Sequence, residues 1–99
     1  MSFVITNPES LTMAAGYLQG VGSALAAQNA AAAGPTTGVV PPAADEVSAL
    51  TAARFAAHAL SYQGVSAQAA AIHGMFVSIL QTSADSYATT EVANAAAVF

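Results

Sequence analysis

At 99 residues the chain allows one small domain; 56% of it is apolar, only 6% is charged, and cysteine is absent, so no disulfide framework or thiolate metal site exists. An ordinary soluble domain carries about a quarter charged residues, yet much of this apolar fraction is alanine, and Gln19, Gln28 and Asn29 interrupt the one segment long enough to span a bilayer. The net charge of −4, with Arg54 as the sole cation, excludes nucleic-acid binding, which needs a cluster of basic side chains to neutralise phosphates.

The opening segment from Met1 to Asn7 has no basic residue and meets Pro8 too soon for a secretory signal peptide. Any export would therefore use a different signal. Asn7-Pro8-Glu9 is a helix start: an Asn N-cap, Pro at the first helical position, and an acid where the helix dipole favours one. The sequence then runs through Leu11, Leu18, Val21 and Leu25 into four alanines, 30–33, and Gly34-Pro35 is expected to stop the helix. Residues 34–42 read as an extended connector, because each residue before a proline is pushed out of the α region. Asp45 and Glu46 mark the first turn of a second helix, and Ser83, Asp85 and Ser86 suggest where it frays. The expected organisation is one all-α domain over 1–99: helix 8–33, connector 34–42, helix 43–84, and a partly helical tail 85–99.

Periodicity favours helix over strand. Positions 11, 14, 18, 21, 25, 28 and 32 step by three and four, as do Phe55, His58, Tyr62, Val65, Ala69, Ile72, Phe76 and Ile79. That spacing is the seam of left-handed coiled-coil packing. Gly16, Gly20, Gly22, Gly64 and Gly74 each lower helix propensity by about 1 kcal/mol relative to alanine, which close helix packing could offset.

A hairpin of these helices leaves apolar surface over. No charged residue occurs from Ser10 to Ala44 or from Phe55 to Ala84, although a solvated helix face normally carries acids and bases. A second apolar line, Leu50, Ala53, Ala57, Leu60, Gly64, Ala67 and Ala71, runs beside the first. One antiparallel neighbour covers one stripe, and two stripes want two neighbours. At 1.5 Å per residue the first helix would be roughly 39 Å long and the second roughly 63 Å. The excess is expected to bare Ile72, Met75, Phe76, Val77, Ile79 and Leu80, with Phe3, Val4 and Ile5 too few to cover them. A two-helix unit this small is marginal alone. The expected partner interface comprises Leu11, Leu18, Val21, Leu25, Phe55, Tyr62, Val65, Ile72, Phe76, Ile79 and Leu80.

The residues also carry a resemblance. Met1-Ser2-Phe3-Val4 with Pro8-Glu9, the run Pro41-Pro42-Ala43-Ala44-Asp45, and Tyr87-Ala88-Thr89-Thr90-Glu91 together resemble the mycobacterial PE family, named for that Pro-Glu pair. The likeness covers essentially the whole chain, and the length matches a bare PE domain without a carboxy-terminal extension. It implies two antiparallel helices that dock lengthwise on two helices of a PPE protein to complete an elongated four-helix bundle. It further implies that the pair is a type VII secretion substrate, with a cytosolic chaperone recognising the PPE subunit. The family's tail signal, Tyr-x-x-x-Asp/Glu, falls on Tyr87 and Glu91.

No site for chemistry is expected. Neither HExxH, GxSxG nor P-loop spacing occurs, and His58 and His73, fifteen residues apart, do not make a His-pair metal site. His58 lies in the apolar seam and reads as an interface residue. No catalytic, cofactor-binding or metal-ligating residue is assigned. Two other classes stay open: an envelope or membrane-associated component, and a self-assembling homodimeric bundle. The lack of basic residues counts against the first. The related secreted homodimers carry a Trp-x-Gly turn, and this chain has no tryptophan.

Overall fold

A computed structural model describes residues 4–98; Phe3, read with Val4 and Ile5 as too few to cover the second helix, lies outside them. Two helices account for most of the described chain, α1 over Pro8–Thr37 and α2 over Glu46–Val98, and no strand occurs among the described residues. The chain forms two compact units, one from the residues up to Gly22 with those from His73 onward, the other Ser23–Ile72. In each unit a stretch of α1 lies antiparallel to a stretch of α2.

Both helix starts follow from local chemistry. Asn7 caps α1, its Oδ1 accepting from Ser10 N at 3.3 Å, with Pro8 at the first helical position. Asp45 caps α2: Oδ2 accepts from Ser48 N at 2.9 Å and Oδ1 from the Ser48 hydroxyl at 2.6 Å. Those two bonds from Ser48, the hydroxyl's first, hold the Asp45 carboxyl below its ordinary pKa. The second helix thus begins at Glu46, three residues later than expected, because Asp45 works outside the helix as its cap.

Helix ends depart further from expectation. Gly34-Pro35 does not stop α1, which runs on to Thr37 with Pro35 inside its last turn. Proline there forfeits one amide bond near the end, where carbonyls lack helical partners anyway. The neighbouring hydroxyls supply others: Thr36 Oγ1 donates to Ala32 O and Thr37 Oγ1 to Ala33 O, both at 2.6 Å. Gly38 N donates to Gly34 O at 3.0 Å, and the connector shrinks to 38–45. The polar cluster at 83–86 does not fray α2 either, and the segment expected as a tail from 85 is helical to Val98. Thr89 and Thr90 turn their hydroxyls back onto Asp85 O and Ser86 O, and no glycine or proline follows Gly74. Serine, threonine and aspartate are ambivalent residues, and here their side chains satisfy helix carbonyls.

The buried positions on the lines along which the helices meet are alanines and one valine. In the first unit Ala15 has no exposed surface, Ala84 is 2% and Val77 7% exposed. In the second, Ala52 and Ala59 are buried, with Ala56, Gln63 and Ser66 half-buried beside them. Along α2 the residues 52, 56, 59, 63 and 66, and then 73, 77, 80 and 84, step by three and four. This third stripe lies between the two lines read from the sequence, so the hairpin covers neither of them. Close approach shows at Gly22: the His73 ring crosses to within 2.6 Å of the Leu18 carbonyl, and a Cβ at Gly22 would meet His73 Cδ2 at 2.8 Å. Because a carbonyl only accepts, His73 Nε2 carries the proton there.

Two substitutions test this packing. Ala15→Leu forces three further carbons into a site with no spare surface and should cost about 1–3 kcal/mol in urea unfolding; an unchanged midpoint would show the contact line is loose. Gly22→Ala gains about 1 kcal/mol of helix propensity but displaces His73, losing roughly 0.5–1.5 kcal/mol of hydrogen bonding. It should therefore stabilise less than Gly74→Ala, whose added methyl meets open space. Equal gains at both positions would show that the His73 contact contributes nothing.

Candidate partner-binding surface

With alanine on the contact lines, the large apolar side chains point elsewhere. Of the expected interface residues, Val21, Leu25, Phe55, Tyr62, Val65, Ile72, Phe76 and Ile79 are exposed, and Leu11, Leu18 and Leu80 are half-buried on the contact lines. Phe55 keeps 62% of its surface in water and Phe76 50%. At about 100° per residue, Phe55, Tyr62, Val65, Phe76 and Ile79 all fall to one side of the buried line on α2, with Leu50 and Leu60 on the other. Val21 and Leu25 are offset from the buried line of α1 in the same rotational sense. On antiparallel helices equal offsets open onto the same flank. In the second unit Leu25 therefore shares a flank with Phe55, Tyr62 and Val65, and in the first Val21 shares one with Phe76 and Ile79.

The expectation that length alone bares the apolar run of α2 is corrected by the register. His73 meets Leu18, and Val77, Leu80 and Ala84 pack within the first unit. Phe76 and Ile79 are exposed because they face sideways, beside a helix rather than beyond its end. Val4 and Ile5 are exposed and do not cover this surface.

Polar groups decorate the flank of the second unit. Tyr62 donates its hydroxyl to Asn29 Oδ1 at 2.7 Å, and Gln63 Nε2 donates to Asn29 O at 3.1 Å. Beside them a shallow, mainly apolar groove is lined by Ala32, Thr36, Phe55, His58, Ala59, Tyr62 and Gln63. His58 thus sits on the groove in one unit and His73 on the α1 backbone in the other. Among the described residues no three of His, Cys, Asp or Glu gather as a metal site, and no helix is long and apolar enough to cross a membrane.

Tyr87 and Glu91, expected in a tail beyond the helix, lie within α2 one turn apart. Tyr87 is about half exposed, and Glu91 is half-buried. Glu91 Oε1 accepts from Thr6 N at 3.1 Å and from Thr6 Oγ1 at 3.0 Å. Thr6 had no role in the sequence reading; a residue 85 positions away and outside both helices leaves no periodic trace. Pro8 and Glu9 occupy the first turn of α1, where they serve the helix start.

The fold and its surface define an all-helical chain of two long antiparallel helices with bulky apolar flanks. The chain belongs to the PE family, whose pattern matches residues 4–94. It is 70% identical over 97 residues to PE family protein PE13 of Mycobacterium tuberculosis, covering 98% of each chain. It is 57% identical over 97 residues to PE8 of the same species and 59% identical over 95 residues to the uncharacterised PE-PGRS protein PE_PGRS36. The chain spans 35% and 19% of those two longer relatives.

Proposed function

We propose that this chain is the PE subunit of a PE–PPE heterodimer, a non-enzymatic pair exported through a type VII secretion system. The observation that carries the pairing is the exposure of Phe55, Tyr62, Val65, Phe76 and Ile79 on one side of α2 while alanine closes the hairpin. Each such side chain gains about 1.5–3 kcal/mol when buried, and this flank has no charge to be desolvated. Two helices of a PPE protein laid along it would complete a four-helix bundle. Membership of the PE family supports this partner in particular. In this reading the pair is held in the cytoplasm by a chaperone that grips the PPE subunit. It then reaches the cell surface or medium, with Tyr87 and Glu91 as the export signal.

The pairing is tested by co-purification. Phe76→Asp or Ile79→Asp would place an unpaired charge in the helix–helix contact and should abolish recovery of a co-expressed PPE protein. Ser61→Asp, on the opposite side of α2 from the hairpin contact, should cost far less. Stoichiometric partner with Phe76→Asp would remove this flank from the interface. A homodimer of the chain expressed alone, undisturbed by added PPE protein, would replace the heterodimer with self-association.

Export is tested separately. Tyr87 continues the 73, 77, 80 and 84 line of α2 but keeps about half of its surface exposed, so Tyr87→Ala should leave the heterodimer intact while the protein accumulates inside the cell. Intracellular and secreted fractions of one culture are compared, with the partner measured in each. Normal secretion of the Tyr87→Ala pair would end the signal assignment, and loss of the heterodimer would make Tyr87 structural.

A further inference from the structure

Glu91 differs from the other acids of the chain in what its carboxylate does. Asp45 caps its own helix, while Glu9, Glu46 and Asp85 are exposed. The Glu91 side chain is half-buried, and one oxygen takes both the backbone N–H and the hydroxyl of Thr6. The segment 4–7 that it holds has no helical ladder of its own. Val4 and Ile5 keep about four-fifths of their surface in water, so side-chain burial contributes little to holding that segment. Hydrogen bonds to an ionised acceptor are about twice as strong as neutral ones. Thr6 is followed by the Asn7 cap and by Pro8 with its fixed φ, so fastening Thr6 also restrains the first turn of α1.

We infer that Glu91 is the latch of an intramolecular clasp: its carboxylate fastens the segment before α1 onto the last turns of α2. Glu91 is then a positioning residue, and of the Tyr87-x-x-x-Glu91 pair Tyr87 is the more exposed. The division of labour within the motif rests on the export reading proposed above; the clasp itself rests on the Thr6 contact.

The test measures amide exchange at Thr6 in the full chain, alone and co-purified with a PPE protein, with helical circular dichroism as the control for folding. Glu91→Ala should speed exchange at Thr6 by about tenfold. Glu91→Gln, whose carbonyl still accepts both donors, should change it much less. Thr6→Val, which removes the hydroxyl alone, should speed exchange at position 6 in the parent chain and have no further effect in the Glu91→Ala background. Equal Thr6 exchange in the parent and Glu91→Ala chains would overturn the clasp. In the export assay Glu91→Gln should be secreted like the parent while Glu91→Ala is retained. Retention of Glu91→Gln with its clasp closed would mean that the machinery reads the charge, overturning the positioning role. Normal secretion of Tyr87→Ala would sink the export reading instead, and Thr6 exchange would still decide the clasp.

Discussion

Alanine on the line where the two helices touch is the constraint from which the other features follow. A methyl side chain fills little space, so the helices come close enough for the His73 ring to reach the Leu18 carbonyl and for Gly22 to be the residue beneath it. Interaxial distance follows the side chains at the contact, and a leucine seam would hold the backbones too far apart for that bond. The same choice limits what the hairpin can gain by folding. Burying a methyl yields far less than burying a leucine, and the bulky side chains that could have supplied more are turned to the flanks. The hairpin's own contact is thin, and its largest apolar surfaces remain unsatisfied.

Much of the architecture was legible in the sequence. Asn7-Pro8-Glu9 and Asp45-Glu46 locate both helix starts to within a few residues, because capping is local chemistry. Helix ends were less legible. Gly34-Pro35 and the polar run 83–86 are ordinary stop signals, and each was overridden by threonine hydroxyls bonding to carbonyls four residues back. Threonine looks the same in sequence whether it bonds within a helix or breaks one.

The sequence marks the stripe through Phe55, Tyr62 and Phe76 as a packing seam, which the hairpin leaves exposed, and does not mark the contact line of the hairpin. Period-counting weights large apolar residues, so Phe55, Tyr62 and Phe76 draw the eye, while Ala52, Ala59 and Ala84 are lost among the chain's many alanines. A usable trace did exist: a line of alanine and small polar residues at three-and-four spacing between two bulkier lines. The Glu91–Thr6 contact left no such trace, since nothing periodic links a helix residue to a loop residue 85 positions away.

The near absence of charge sets how such a surface can discriminate among partners. Charged rims steer encounter and reject mismatched partners through like-charge repulsion. Neither device is available from Phe55 to Ala84, which contains no Asp, Glu, Lys or Arg. Discrimination on this flank therefore falls to shape and to the few polar groups beside it. The Tyr62 hydroxyl is already committed to Asn29, and Gln63 to the Asn29 backbone, so those side chains hold fixed positions before any partner arrives. Fixed polar groups on an apolar flank penalise a partner that buries them without matching them. In the proposed complex, preorganisation of Tyr62 by Asn29 would do the work that charge patterning does elsewhere.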